Sequence, residues 1–169
     1  MLKKKDINPI KSYKFKELPE PIFKYLHKDI SINTVNESVC LLSTNTQGWP
    51  HTAQLSLGEI YASDQKTIKI ALWSNSNNKK NIEYNNKLSL VLAWNKGIVE
   101  IQGLAKLLAE KSLCKLTIFE IKLISIIHYC SNYANVISGI SFIVHDPQNV
   151  NFRWKKQRQL LVNINEKYN

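Results

Sequence analysis

The chain has 169 residues, 44% of them hydrophobic, with five glycines and five prolines, which suits one globular domain with an ordinary core and excludes a low-complexity or collagen-like protein. Its formal net charge is +10, an attraction for anionic ligands and nucleic acids alike. Six lysines fall in the first sixteen residues and Arg153, Lys155, Lys156 and Arg158 lie near the other end, so much of the excess is terminal; no helix-turn-helix, zinc-finger or aromatic RNA-binding pattern accompanies it, which argues against nucleic acid as the partner.

Cys40, Cys114 and Cys130 have neither metal-ligand nor Cys-x-x-Cys spacing and sit among apolar residues, so they are expected to be reduced core residues with no metal site. Lys3-Lys4-Lys5 is followed by Asp6, Asn8 and Lys11 rather than by an apolar leader, and a cytoplasmic location is expected. The stretch 113–129 is the most membrane-like, yet Lys115, Glu120, Lys122 and His128 interrupt it. Those charges are costly at a bilayer centre, and an amphipathic helix, or a strand buried in the fold or a dimer contact, is expected instead.

In chain order, residues 1–17 have the composition of a mobile basic arm, and Pro19 and Pro21 introduce a short helix over 22–28. Val39–Thr44 is a compact apolar strand, and Asn45-Thr46-Gln47-Gly48 carries turn chemistry, the glycine suited to positive φ. Over 51–57 polar and apolar residues alternate, with Thr52, Gln54 and Ser56 on one face and Ala53, Leu55 and Leu57 on the other. Residues 59–62 could extend this strand past a bulge at Gly58. Asp64-Gln65-Lys66 turns into the strand Thr67–Trp73. The next strand, 88–94, is apolar on both faces and therefore central, and Asn95-Lys96-Gly97 makes a hairpin into 98–108, where Gly103 permits a bend or the close approach of another backbone. Residues 109–129 begin like a helix, although their isoleucines leave the period ambiguous. A last strand over 138–145 stops at Asp146-Pro147, and 151–161 reads as a basic amphipathic helix. Strands joined mainly by short turns with one helical crossover argue for an antiparallel barrel.

The crossover is the segment richest in chemistry. Between Trp73 and residue 88 come Ser74, Ser76, Lys79, Lys80 and Asn81. Hydroxyls, amides and ammonium groups at a helix start can hold an anion, but a plain turn with its cap would have much the same composition.

The succession Gly48-Trp49-Pro50-His51, the Asp64-Gln65-Lys66 turn, the strand ending at Trp73, the Ser76-to-Asn81 loop, Asn85-Asn86-Lys87-Leu88-Ser89-Leu90 and Glu100-Ile101-Gln102-Gly103-Leu104-Ala105-Lys106 resembles the pyridoxamine 5'-phosphate oxidase-like family over residues 36–109. The resemblance implies a mainly β fold with flanking helices, a six-stranded antiparallel split β-barrel over 18–169 that binds FMN at a homodimer interface. In the oxidases a Ser-Arg-Lys triplet clasps the flavin phosphate; aligning on Asn81-Ile82-Glu83 places Ser76-Asn77-Asn78 opposite it, so Lys79 and Lys80 would have to supply the missing charge. It further implies that Thr52, Gln54 and Ser56 meet the polar edge of the flavin ring, that Trp73, Ser74 and Asn81 lie at the cofactor, and that Arg153 and Trp154 approach it or close the dimer.

No Ser-His-Asp order or paired carboxylates point to another catalytic centre, so the redox chemistry would be the cofactor's own. The expected function is FMN-dependent oxidation or reduction of a small organic molecule. The alternative is a non-catalytic module that binds or senses flavin or haem. A deazaflavin also stays open, and no catalytic residue is assigned.

Overall fold

The structure, a computed structural model, describes residues 10–28, 30 and 35–164. The elements are β1 (Ile10–Phe15), α1 (Glu20–His27), β2 (Val35–Glu37), β3 (Val39–Thr44), β4 (Pro50–Leu55), β5 (Ile60–Asp64), β6 (Thr67–Trp73), α2 (Asn77–Asn85), β7 (Lys87–Trp94), β8 (Gly97–Lys111), β9 (Leu116–Ser131), β10 (Ser141–Ile143) and α3 (Pro147–Asn163). Among the described residues the main sheet has eight strands, not six: it runs β4-β3-β7-β8-β9-β6-β5, with β1 added to β9, and β2 pairs separately with β10. Every ladder is antiparallel.

The two ends of the sheet, β4 and β5, are joined by the turn at 56–59, closed by the Glu59 N–H to Ser56 carbonyl bond of 2.9 Å. So short a link forces the sheet to curl until its edges meet. Residues 59–62 therefore do not prolong β4; Ile60 opens a new strand on the opposite edge, paired with β6. The interior is filled by Leu41, Ile68, Ile70, Leu90, Ile101, Phe119 and Ile121, with Ile22 and Leu26 of α1 packed onto it. Burying this much branched aliphatic area is the main term that stabilises the fold. A second cluster, Tyr61, Ala71, Leu116, Ile118 and Leu161, lies between α3 and the sheet, which is why β6 is buried on both faces.

Four segments depart from the sequence reading. Residues 109–129 form no helix: they complete β8 and supply most of β9, a long hairpin turning at Ser112–Cys114 with Lys115 at φ 52°. The run Leu116–Ser131 places apolar residues on both faces because β6 and β1 occupy one edge of β9 in succession while β8 occupies the other. β-branched side chains suit that doubly covered surface. Within the supposed arm, Ile10–Phe15 is strand β1, registered against residues 126–131 of β9; residues 1–9 lie outside the described residues. The expected strand over 138–145 shrinks to Ser141–Ile143, and the expected helix over 151–161 begins earlier, where the Asp146 side chain accepts from the Asn149 N–H at 3.2 Å.

The turn expectations hold. Gly48 has φ 85°, and Asn95 and Lys96, both at positive φ, make the two-residue hairpin between β7 and β8. Gly103 sits at a register shift between β8 and β9, where a Cβ would strike the Ile121 side chain. Among the cysteines, Cys40 and Cys130 are half-buried, whereas Cys114 is exposed at the β8–β9 turn rather than in the core; all three are free thiols. Among the described residues no group of three or more His, Cys, Asp or Glu is placed to hold a metal ion, and no helix is long and apolar enough to cross a membrane.

Candidate functional site

Helix α2 crosses one end of the barrel, from the end of β6 to the start of β7, and its polar residues are largely committed to holding it there. Ser76 is its N-cap, accepting from the Lys79 N–H at 3.2 Å. The Asn81 amide donates to Ser43 Oγ at 2.9 Å, and that hydroxyl donates to Asn78 Oδ1 at 2.7 Å, a buried triad that plugs the barrel end. Ser74 Oγ lies 3.0 Å from Thr117 Oγ1 on β9.

The two lysines behave differently. The Lys79 ammonium sits 2.7 Å from Glu83 Oε1 and 3.2 Å from Glu110 Oε1. The hydrogen bonds to Glu83 and then Glu110 hold its pKa above a lysine's ordinary 10.5. With two carboxylates on it, Lys79 has little charge left for a phosphate. Lys80 is exposed. Because the folded pKa is the higher one, the stabilising effect of Lys79 is fully present below about pH 10 and disappears as pH rises through the raised value. Lys79→Met should thus cost a few tenths to about 1 kcal/mol at neutral pH and nothing at strongly alkaline pH, read from urea melts across that range.

Strand β4 separates its three candidates. Thr52 stands opposite Leu42 and Gln54 opposite Cys40, on the outer face of the sheet, where Gln54 Oε1 accepts from Ser38 Oγ at 2.7 Å. Ser56 lies past the strand end and is buried, its N–H and hydroxyl both donating to Glu59 Oε2, at 2.9 and 2.7 Å. It serves the turn that joins the sheet edges. Trp73 is 43% exposed at the end of β6, with the Arg153 guanidinium 6.0 Å from its ring centroid. Trp154, by contrast, is buried and meets Phe142 edge-on.

A cleft lies on the outer face of β3, β7 and β8. It has a volume of about 520 Å³, within the roughly 300–1,000 Å³ common for small-molecule sites. Leu42, Leu88, Leu104 and Ile124 give it apolar walls, while Thr44, Ser89 and Gln102 supply hydrogen-bonding groups and Lys87 a cation. Thr52 adjoins it through its pairing with Leu42. The crossover residues Ser74, Ser76, Lys79, Lys80 and Asn81 do not line it. Sequence reading missed Lys87, Ser89 and Gln102. The signal was the alternation along β7 and β8, which puts Ser89 and Gln102 opposite one another, but which face looked outward depended on β3 packing beside β7.

An apolar ring system with polar edges and an acidic tail fits these walls, with Lys87 the nearest cation. Among the described residues no His, Cys, Asp or Glu lines the cleft.

No family model matches the chain. The uncharacterized protein YclD of Bacillus subtilis (strain 168) is 29% identical to it over 142 residues, 82% of this chain and 92% of that protein. Among solved structures, a candidate pyridoxamine 5'-phosphate oxidase from Lactobacillus delbrueckii is similar with a TM-score of 0.52 at 16% identity, over 67% of this chain and 97% of that one. HupZ of Group A Streptococcus is similar with a TM-score of 0.50 at 13% identity, over 64% and 97%. The chain has the split-barrel fold of the pyridoxamine 5'-phosphate oxidase-like proteins.

Proposed function

We propose that this protein, sharing the split-barrel fold of pyridoxamine 5'-phosphate oxidase-like proteins, binds FMN in the outer cleft of β3, β7 and β8, as a homodimer, and serves as a flavin-dependent oxidoreductase for a small organic substrate. The observation that carries the reading is the cleft: apolar walls sized for a fused ring, Ser89 and Gln102 for its polar edge, and Lys87 for the phosphate. Bound FMN would supply two-electron transfer. The chain would orient the ring through Ser89, Gln102 and Thr52, hold the phosphate through Lys87, and exclude water with Leu104 and Ile124.

Exposed apolar side chains support the dimer. Ile98, Leu104 and Ile124 are 39%, 40% and 63% exposed around this face. A second copy of the chain laid across it would cover them and roof the cleft.

The alternative, a non-catalytic flavin- or haem-binding module, is favoured by one feature: among the described residues that line the cleft, Lys87 alone carries a titratable side chain. Bleaching of bound flavin by NAD(P)H separates the two readings, since a storage module has no need to accept hydride.

The test of binding is a titration of FMN against riboflavin. Lys87→Ala should weaken FMN at least about tenfold, the value of one charge-assisted hydrogen bond, and leave riboflavin, which lacks the phosphate, nearly unchanged. Lys79→Ala should change neither, because two glutamates already occupy that ammonium. Equal FMN affinity in the wild type and Lys87→Ala, with a loss on Lys79→Ala with Lys80→Ala, would return the phosphate to the helix start. No flavin binding at all would end the proposal.

A further inference from the structure

We propose a second ligand site, for a small aromatic carboxylate, at the end of the barrel where β7 turns into β8. A cavity of about 400 Å³ opens there, lined by Tyr13, Phe15, Trp94, Lys96, His128 and Cys130, with the amides of Asn95 and Asn135 beside them. None of its lining residues lines the outer cleft.

Strand pairing builds the walls. Tyr13 stands opposite His128, and Trp94, Gly97 and Cys130 follow one another across β7, β8 and β9. These residues therefore share the inward face of the sheet. The Tyr13 and His128 rings stack at 6.0 Å and 24°, while Trp94 meets His128 at 5.1 Å and Phe15 at 6.3 Å, both edge-on. His128 is buried, and its Nε2–H donates to the Trp94 carbonyl at 3.1 Å, the donor role following from a partner that can only accept. Its ring is thus a fixed wall. Tyr13 keeps 49% of its surface exposed, leaving an aromatic face on which a planar guest can lie.

Charge at the rim selects the guest. Lys96 lines the cavity from the hairpin turn. Lys11, exposed and two residues from Tyr13 on the same face of β1, stands opposite Cys130. Among the described residues no Asp or Glu lines the cavity. Stacking walls with Lys96 at the rim and Lys11 on the same face of β1 suit a ring of one or two fused cycles that carries a carboxylate.

The full chain, titrated with 1-naphthoate and with the uncharged 1-naphthamide, provides the test. Naphthoate should shift the NMR signals of the Trp94 indole N–H and the His128 ring, and should bind at least about tenfold more tightly than the amide. Lys11→Ala combined with Lys96→Gly, the glycine chosen because position 96 has φ 64°, should lower naphthoate affinity at least about tenfold and leave the amide as it was. Tyr13→Ala should weaken both. The site does not exist if naphthoate moves neither signal, if it binds the double variant with wild-type affinity, or if FMN displaces it competitively and so places it in the outer cleft. Because the two sites share no lining residue, naphthoate binding is expected even in a protein that takes no flavin.

Discussion

Arg158→Ala is expected to lower stability by about 3–5 kcal/mol, roughly 10 °C in melting temperature for a chain of this length. Arg158 is 5% exposed. Nη1 donates to the carbonyls of Leu57, at 3.2 Å, and Ile60, while Nη2 donates to Leu26 and to Lys28, at 2.7 Å. The Arg158 Cζ also lies 4.7 Å from the Tyr61 ring centroid. Leu26 is in the last turn of α1, where carbonyls have no partner within the helix; Leu57 lies within the turn that joins the two edges of the sheet, and Ile60 follows it. One side chain of α3 thus holds together the C-terminus of α1 and the point where the barrel closes. Alanine would leave four carbonyls short of a donor, and Arg158→Lys, with a compact ammonium in place of a planar fork, should recover less than half of the loss. Equal urea midpoints for wild type and Arg158→Ala would show that water replaces the guanidinium at little cost.

Gly97→Ala should destabilise by about 2–3 kcal/mol or more, and should also disorder the aromatic end of the barrel. A Cβ at this position would collide with the Tyr129 carbonyl and lie 2.6 Å from His128 Nε2. The backbone there cannot retreat, because Gly97 pairs with Trp94 on one side and Cys130 on the other. The added methyl must part the β8–β9 ladder or push out His128, which then loses its bond to Trp94. Calorimetry gives the stability loss, and a changed His128 ring signal reports the displacement. A melting temperature within a degree of the wild type would mean that the β7–β8 hairpin yields more easily than its pairing suggests.

Local sequence was a good guide where one short stretch carries its own physics. Val39–Thr44 and Thr67–Trp73 are strands at the expected bounds, because apolar runs bounded by turn residues have few other uses. Asn95-Lys96-Gly97 is a hairpin, Asp64-Gln65-Lys66 a turn with the Lys66 N–H bound to Asp64 Oδ1 at 2.7 Å, and the segment after Ser76 is a helix, since amide, hydroxyl and glycine chemistry acts within a few residues. The split-barrel fold was legible for the same reason: several such local signals occur in the right order.

What depended on distant partners was not legible. Whether Leu116–Ser131 is helix or strand depends on β6, β8 and β1 lying beside it, and the same β-branched residues suit either until those neighbours bury both faces. Lysine density made residues 10–15 look like a free arm, whereas the free edge of β9 recruits them as a strand. At the site the sequence supplied the residue types but not their commitments. Lys79 was a candidate for the flavin phosphate, and β8 brings Glu110 to it; Ser56 was a candidate for the polar edge of the flavin ring, and its hydroxyl is bound to Glu59 at the closing turn; Lys87 was not singled out as a site residue, and β3, β7 and β8 form a cleft beside it. Arg158 looked like one more surface charge on a basic helix. Turns, caps and strand patterns are decided by interactions a few residues long and can be read directly. Which charge is spent, which face is covered and which edge is closed are decided between residues up to 132 positions apart, as in the Arg158 bond to Leu26, and only the folded chain brings those together.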